Sequence, residues 1–353
     1  MAILTGYLLR TIVNSTLLVL LVLLALAGLF EFIGQLDNVQ GNFGIPEALL
    51  FAVLRLPQLS FEMLPIATLI GSLLGLGSLA TSSELVVIRT AGVSVVRLVG
   101  MVSVAGVVLM VLTALVGEFI GPPLDYFART TRNQAIYAQS ESPGSAAWIK
   151  DGPVILHLER INTEFELGGI WLYRFADDDS LAMIARAENA GIDENDRWIL
   201  ENFRATRFLP DGVEAIQSPV AVESLDIDSE VLGIALVKPI SLSARGLINY
   251  IGYLKQNGLS AERYEMELWS RIARTATVVV MPVLALAFVF GSLRTAGHGT
   301  RLMIGVLVGL LYFLASEMLA NSGQVFNLNP ALVTWLPSIA LVLVTVFALS
   351  RVR

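Results

Sequence analysis

The 353-residue chain contains no cysteine, only two histidines, and few charges, with 15% of its residues Asp, Glu, Lys or Arg. Each shortage excludes a kind of chemistry. Without cysteine there is no disulfide framework and no thiolate to act as nucleophile or metal ligand. With His157 and His298 as the only imidazoles, a zinc or iron site of the usual His/Cys type is not expected. The spare carboxylates fall in no metal-loop spacing. Neither the glycine-rich phosphate loop of an ATPase nor the nucleophile elbow of a hydrolase occurs. No catalytic centre, no metal and no cofactor bound by this chain are therefore expected. His157 sits in an alternating apolar run and reads as a structural residue.

What the chain has instead is apolar length: 55% of residues are hydrophobic and the mean hydropathy is +0.71. A water-soluble protein of that composition could not cover its own apolar surface. Arg10 and Glu31 bracket 20 uncharged residues, Glu62 and Glu84 bracket 21, Arg97 and Glu118 bracket 20, and Arg274 and Arg294 bracket 19. A last apolar region from Leu302 to Ser350 is divided by Glu317 and by the polar stretch from Asn321 to Pro330. Twenty helical residues rise about 30 Å, the hydrocarbon thickness of a bilayer. The expected fold class is a polytopic α-helical membrane protein with six transmembrane helices in a 3 + 3 arrangement. An all-β domain is inserted between spans 3 and 4.

Charge divides the same way. Residues 125–270 hold 23 Asp/Glu against 13 Lys/Arg, and the rest of the chain holds 7 against 10. An acidic, water-facing insert thus separates two slightly basic apolar blocks. The expected divisions are 1–124, 125–270 and 271–353. One set of short loops and ends collects Arg10, Arg89, Arg97, Arg294, Arg301, Arg351 and Arg353, with Glu84 as its only acid. The opposite set holds Glu31, Asp37, Glu47, Glu62 and a single Arg55. Lys/Arg near span ends mark the cytoplasmic side, so both termini are expected there and the insert on the other face. The first apolar stretch is too long for a cleaved signal peptide and reads as a retained span.

Along the chain, Pro46 and Glu47 look like a helix start. The stretch from there to Ser83 is too long for one straight crossing, so Pro57 and Pro65 are expected to kink it, with its early part at the interface. Gly71 and Gly75 form a small-xxx-small pair that suits either intrachain packing or a subunit contact. Residues 125–140 are polar and helix-like. From 147 to 240, short alternating runs are bounded by turn signals at Asp151-Gly152-Pro153, 177–179, 193–196 and Pro210-Asp211-Gly212, which suggest an all-β sandwich. Acids within the apolar regions are few. Glu118 and Glu317 both lie near span ends, where a carboxylate reaches the headgroups, and this weakens a proton-coupled carrier.

The loop after span 2 reads Ser83-Glu84-Leu85-Val86-Val87-Ile88-Arg89-Thr90-Ala91-Gly92. Ser83 is placed to cap a short helix starting at Glu84, and Gly92 to end or kink it. Its apolar residues must dock on something. This run, following Pro65-Ile66-Ala67-Thr68-Leu69-Ile70-Gly71, resembles the LptF/LptG permease family, the membrane subunits of the lipopolysaccharide-export ABC transporter. The stretch from Tyr264 to Ile272 and the loop Phe290-Gly291-Ser292-Leu293-Arg294 are similar to the same family. Trp148-Ile149-Lys150-Asp151-Gly152 and residues 166–170 resemble its G-type rather than its F-type members.

The resemblance implies a periplasmic β-jellyroll between spans 3 and 4 and a coupling helix at about 83–95. It implies a multi-pass protein of the bacterial inner membrane with cytoplasmic termini. The implied partners are an F-type permease paralogue, a cytoplasmic ATPase dimer that uses the ATP, a single-span periplasmic bridge protein, lipopolysaccharide and membrane lipid, with no nucleic acid. Glu84, Leu85, Val86, Ile88 and Arg89 would meet the ATPase. Arg129 and Arg132 would face glycolipid phosphates, with Met63 and Phe313 also on the substrate path. Some relatives carry lysines just beyond span 1, where this chain has Glu31 and Asp37, so a basic lipid contact from that corner is not expected. Two readings from other classes remain: a membrane-anchored scaffold displaying a β domain, and an ion-coupled lipid carrier. ATPase co-purification and ATP-dependent lipid release separate the first reading from both.

Overall fold

The computed structural model describes residues 2–39, 42–137, 147–161, 167–176, 178, 180–192, 197–223, 241–290, 297–326 and 328–351. Its helices are α1 (Ala2–Leu36), α2 (Ile45–Thr81), α3 (Glu84–Thr90), α4 (Val95–Leu115), a π-turn (Val116–Ile120) and α5 (Gly121–Tyr137), then α6 (Ala244–Gln256), α7 (Glu262–Phe290), α8 (His298–Val325) and α9 (Pro330–Ser350). Between α5 and α6 lie β1 (Ala147–Asp151), β2 (Val154–Ile161), β3 (Leu167–Phe175), β4 (Leu181–Ile192), β5 (Trp198–Leu209) and β6 (Gly212–Glu223). Among the described residues, six helical segments are long and apolar enough to cross a membrane, three before the strands and three after. Two compact units result: 1–39, 45–128 and 262–353 in one, 40–44 and 129–261 in the other.

In the helical unit, α2 is the most enclosed span. Leu69, Leu73, Leu76 and Leu79 of α2 meet Leu8 and Ile12 of α1, Leu98, Val102 and Leu109 of α4, and Val278, Met281, Leu284 and Leu286 of α7 in one buried cluster. Other apolar side chains are uncovered: Leu18, Leu21 and Val22 of α1, Leu307 and Leu311 of α8, Leu343 and Phe347 of α9. Surfaces of that extent are stable only against lipid or another protein.

Along α2, kinks are expected at Pro57 and Pro65. It is one helix of 37 residues with Pro57 and Pro65 inside it. Each proline removes only one backbone donor, and packed spans supply neighbours that tolerate the loss. The helix is about 55 Å long at 1.5 Å per residue, so it outreaches the hydrocarbon without being broken. The glycine pair finds its partner inside the chain. A Cβ at Gly71 would strike the backbone of Thr16, and one at Gly75 would press on Ser15 and Thr11, all on α1.

The strands form one antiparallel sheet in the order β1 to β6. Ile149, Leu156, Leu158, Ile170, Leu172, Met183, Ala185, Trp198 and Leu200 bury one face. Their two-residue spacing within each strand is the alternation seen in the sequence. α6 covers apolar residues of its own, Leu247, Tyr250, Ile251 and Leu254. Tyr253 Oη fastens it to β1, donating to the Lys150 carbonyl at 2.7 Å and accepting from its N–H at 3.1 Å. The described residues of the insert hold six strands in one hydrogen-bonded antiparallel order, an all-β insert as expected. His157 lies on β2 with its ring 4.3 Å from that of Trp148, a structural place. The turn at 193–196, the positions Asp177, Asp179 and Glu166, residues 138–146 and 224–240, and the loop from Gly291 to Arg294 lie outside the described residues.

Candidate functional site

α3 is built by its ends. Gly92 has φ 89°, and the N–H groups of Gly92 and Val93 donate to the carbonyls of Arg89 and Ile88, closing the helix with a left-handed cap. Ser94 then caps α4 by accepting from the Arg97 N–H at 3.3 Å. The start differs from expectation: Ser83 makes no side-chain cap and takes φ 64°. With α2 ending at Thr81 and α3 beginning at Glu84, two residues must turn the chain, and Ser83 supplies a left-handed step in place of a cap.

Of the side chains on α3, Leu85 points inward, 1% exposed, into the cluster formed by Leu8, Ile12, Leu98 and Met101. Ile88 packs against the same cluster from its edge. Arg89 lies over the Phe290 ring at 5.4 Å, fixing α3 to the end of α7. Val86 and Val87 face outward, 43% and 62% exposed. One flank of α3 is thus anchored in the bundle while the other offers apolar surface beside a carboxylate. Glu84 is held at both oxygens. Tyr7 Oη donates to Oε2 at 2.7 Å and Ser82 Oγ to Oε1 at 2.9 Å. The Tyr7 hydroxyl first, and the Ser82 hydroxyl after it, keep this carboxyl below the usual range, so it is charged at neutral pH.

The opposite end of α2 carries a belt of charge. Arg55 pairs with Glu31 of α1 at 2.5 Å and with Asp125 of α5 at 3.0 Å, and Asp125 is 0% exposed. Gln58 donates to Glu62 at 3.4 Å. Arg271, 5% exposed, stacks on Phe61 at 4.9 Å. Arg274 and Glu317 approach to 3.9 Å. Glu31, read from the sequence as part of an acidic corner, is therefore neutralised by Arg55. Glu317 is half exposed and has Arg274 as its basic neighbour.

Arg129 and Arg132 lie three residues apart on α5 and share one face, both partly exposed. Arg132 donates to the Asn133 side chain at 3.4 Å. Met63 packs against Val19 and Leu20 of α1 and Leu64, Ala67 and Ile70 of α2. Phe313 is half-buried on α8, a helix that meets α2 where a Cβ at Gly309 would touch Ile66. Among the described residues, no group of three or more His, Cys, Asp or Glu side chains could hold a metal ion. Sequence reasoning missed Tyr7, Val87 and the use made of Arg55. Tyr7 carries no local signal, whereas Arg55, the lone base among acids, was visible as an oddity.

Comparison with known proteins bears on the whole chain. A family model described as lipopolysaccharide export system permease LptF/LptG matches residues 6–351. The lipopolysaccharide export system permease protein LptG of Escherichia coli strain K12 is 31% identical over 353 residues, covering 99% of this chain and 98% of the relative. The protein of the same name from Haemophilus influenzae is 30% identical over 350 residues, covering 98% of each.

Proposed function

This chain belongs to the LptF/LptG family of lipopolysaccharide export system permeases, and from that membership we propose how it works. It is a multi-pass, non-catalytic membrane subunit of an ABC transporter for lipopolysaccharide, resident in the inner membrane. The observation that carries this reading is similarity from end to end to proteins named LptG, joined to the 3 + 3 arrangement of apolar helices with an inserted sheet. In the proposed cycle the chain pairs with an F-type paralogue, a cytoplasmic ATPase dimer powers the pair, and α3 is where this chain meets the ATPase. Lipopolysaccharide leaves the outer leaflet of the inner membrane and passes to a single-span periplasmic bridge protein. The seven arginines at one set of loops and ends support cytoplasmic termini and a periplasmic strand domain.

α3 suits the ATPase contact because its charged Glu84 lies beside the exposed Val86 and Val87. A carboxylate can accept a charge-assisted bond from a basic group of the partner, and the valines add apolar contact. Leu85 would act from within, holding α3 to the bundle. Arg129 and Arg132 suit the substrate because guanidinium groups bind phosphate bidentately. An exposed pair serving only surface charge would contribute about 0–1 kcal/mol, and its loss would go unnoticed. In the proposed role, replacing both (Arg129→Glu with Arg132→Glu) lowers crosslinking of lipopolysaccharide to a photoreactive residue at Tyr126 by about tenfold, the scale of a lost charged hydrogen bond. Protein abundance stays as in the wild type. Unchanged crosslinking would remove the two arginines from the substrate path.

A further inference from the structure

We propose that Tyr7 is a positioning residue for energy coupling: its phenol sets the Glu84 carboxylate in place and ties the first span to α3. This rests on the reading of Glu84 as the acid that meets the ATPase. The two residues are 77 positions apart, yet the Tyr7 hydroxyl donates to Glu84 Oε2 at 2.7 Å. Ser82, from the turn between α2 and α3, donates to the other oxygen at 2.9 Å. A glutamate on a seven-residue surface helix would otherwise sweep its carboxylate through many rotamers. With a donor at each oxygen the group has one orientation. Each oxygen keeps a second lone pair, so a basic side chain of a partner can still be accepted.

The phenol can do this because it does not move independently. Leu8, the next residue, and Ile12, just over one turn further on, are fully buried in the cluster that receives Leu85. Thr11 Oγ1 donates back to the Tyr7 carbonyl at 3.0 Å, within the same turn. α1 and α3 thus share two links, the buried cluster that takes in both Leu8 and Leu85 and the hydrogen bond between Tyr7 and Glu84. Further along, α1 lies against α2, with Thr16 at Gly71 and with Val19 and Leu20 in a second buried cluster beside Leu64 and Ala67. A push on Glu84 from outside reaches α1 through the Tyr7 hydrogen bond and α2 through that of Ser82.

The partly exposed setting argues against a role in stability alone, since one such hydrogen bond in water adds little to folding. The test uses the full transporter in proteoliposomes, measuring lipopolysaccharide released per ATP hydrolysed. Tyr7→Phe keeps the ring and loses the donor. It is expected to lower that ratio about three- to tenfold, with thermal unfolding and ATPase association unchanged. Adding Tyr7→Phe to Glu84→Ala is expected to lower it no further, because the phenol then has nothing to position. Wild-type coupling in Tyr7→Phe while Glu84→Ala is impaired would overturn the positioning role and leave the Glu84 reading standing. An equal penalty from Tyr7→Phe with and without Glu84 would also overturn it. Wild-type coupling in Glu84→Ala would remove both.

Discussion

Arg55 shows how a residue that looks misplaced in a sequence is explained by its neighbours in space. It is the only base among Glu31, Asp37, Glu47 and Glu62, and it bridges Glu31 of α1 and the fully buried Asp125 of α5. A buried ion pair contributes little net stability, but removing one partner leaves a charge that water cannot reach. Arg55→Ala is therefore expected to destabilise the helical unit by about 3–5 kcal/mol, whereas Arg55→Ala with Asp125→Asn costs less. Thermal unfolding of the detergent-purified protein decides this; equal losses in the two variants would mean that the charge of Asp125 is not what Arg55 serves. The partner of Arg55 lies 70 residues away, beyond the reach of local pattern, and so does that of Tyr7. Gly92, by contrast, was legible, because its conformational need is local: a helix end at φ 89° favours a residue without Cβ. Ser83 misled for a related reason, since cap preference says nothing of a chain that must reverse between two helices.

At the scale of elements, hydrophobic length located every span, and turn residues located most of the strands. Length is a physical demand of the bilayer and is written continuously in the sequence. What α2 packs against was not written there. The Gly71 and Gly75 spacing permitted a subunit contact or an intrachain one, and the structure uses it for α1, whose backbone at Thr16 occupies the space a Cβ would need. Gly106 serves α4 and α7 in the same way, facing the backbone of Val279. Gly71→Leu is accordingly expected to force α1 from α2 and destabilise the protein by at least the 1–3 kcal/mol typical of overpacking. Gly100→Leu, where a Cβ meets nothing within 4 Å, should be nearly neutral. Comparable unfolding temperatures for the two variants would contradict close α1–α2 packing at Gly71. The sheet was less legible. Alternation gave the strands but not their pairing, because a two-residue period fixes the face a residue takes and not the strand that lies beside it.

For the molecule as a whole, membership of the lipopolysaccharide export permease family underlies the proposal that a partner ATPase supplies the energy. The proposed orientation rests on where the arginines fall, and single cysteines test it cleanly in a cysteine-free background. Cysteine at Asp178 should react with a membrane-impermeant thiol reagent on intact spheroplasts, and cysteine at Arg351 should not; equal labelling would reverse or void the proposed topology. The central claim is that this chain moves lipopolysaccharide when ATP is hydrolysed elsewhere. The most direct measurement reconstitutes it with its paralogue, ATPase and bridge partner in proteoliposomes loaded with lipopolysaccharide, and follows transfer to a soluble periplasmic acceptor. Transfer that requires both ATP and this chain, and that falls when Glu84 is replaced by alanine, is the predicted result. ATP hydrolysis at a normal rate with no lipopolysaccharide reaching the acceptor, or transfer that continues without this chain, would contradict it.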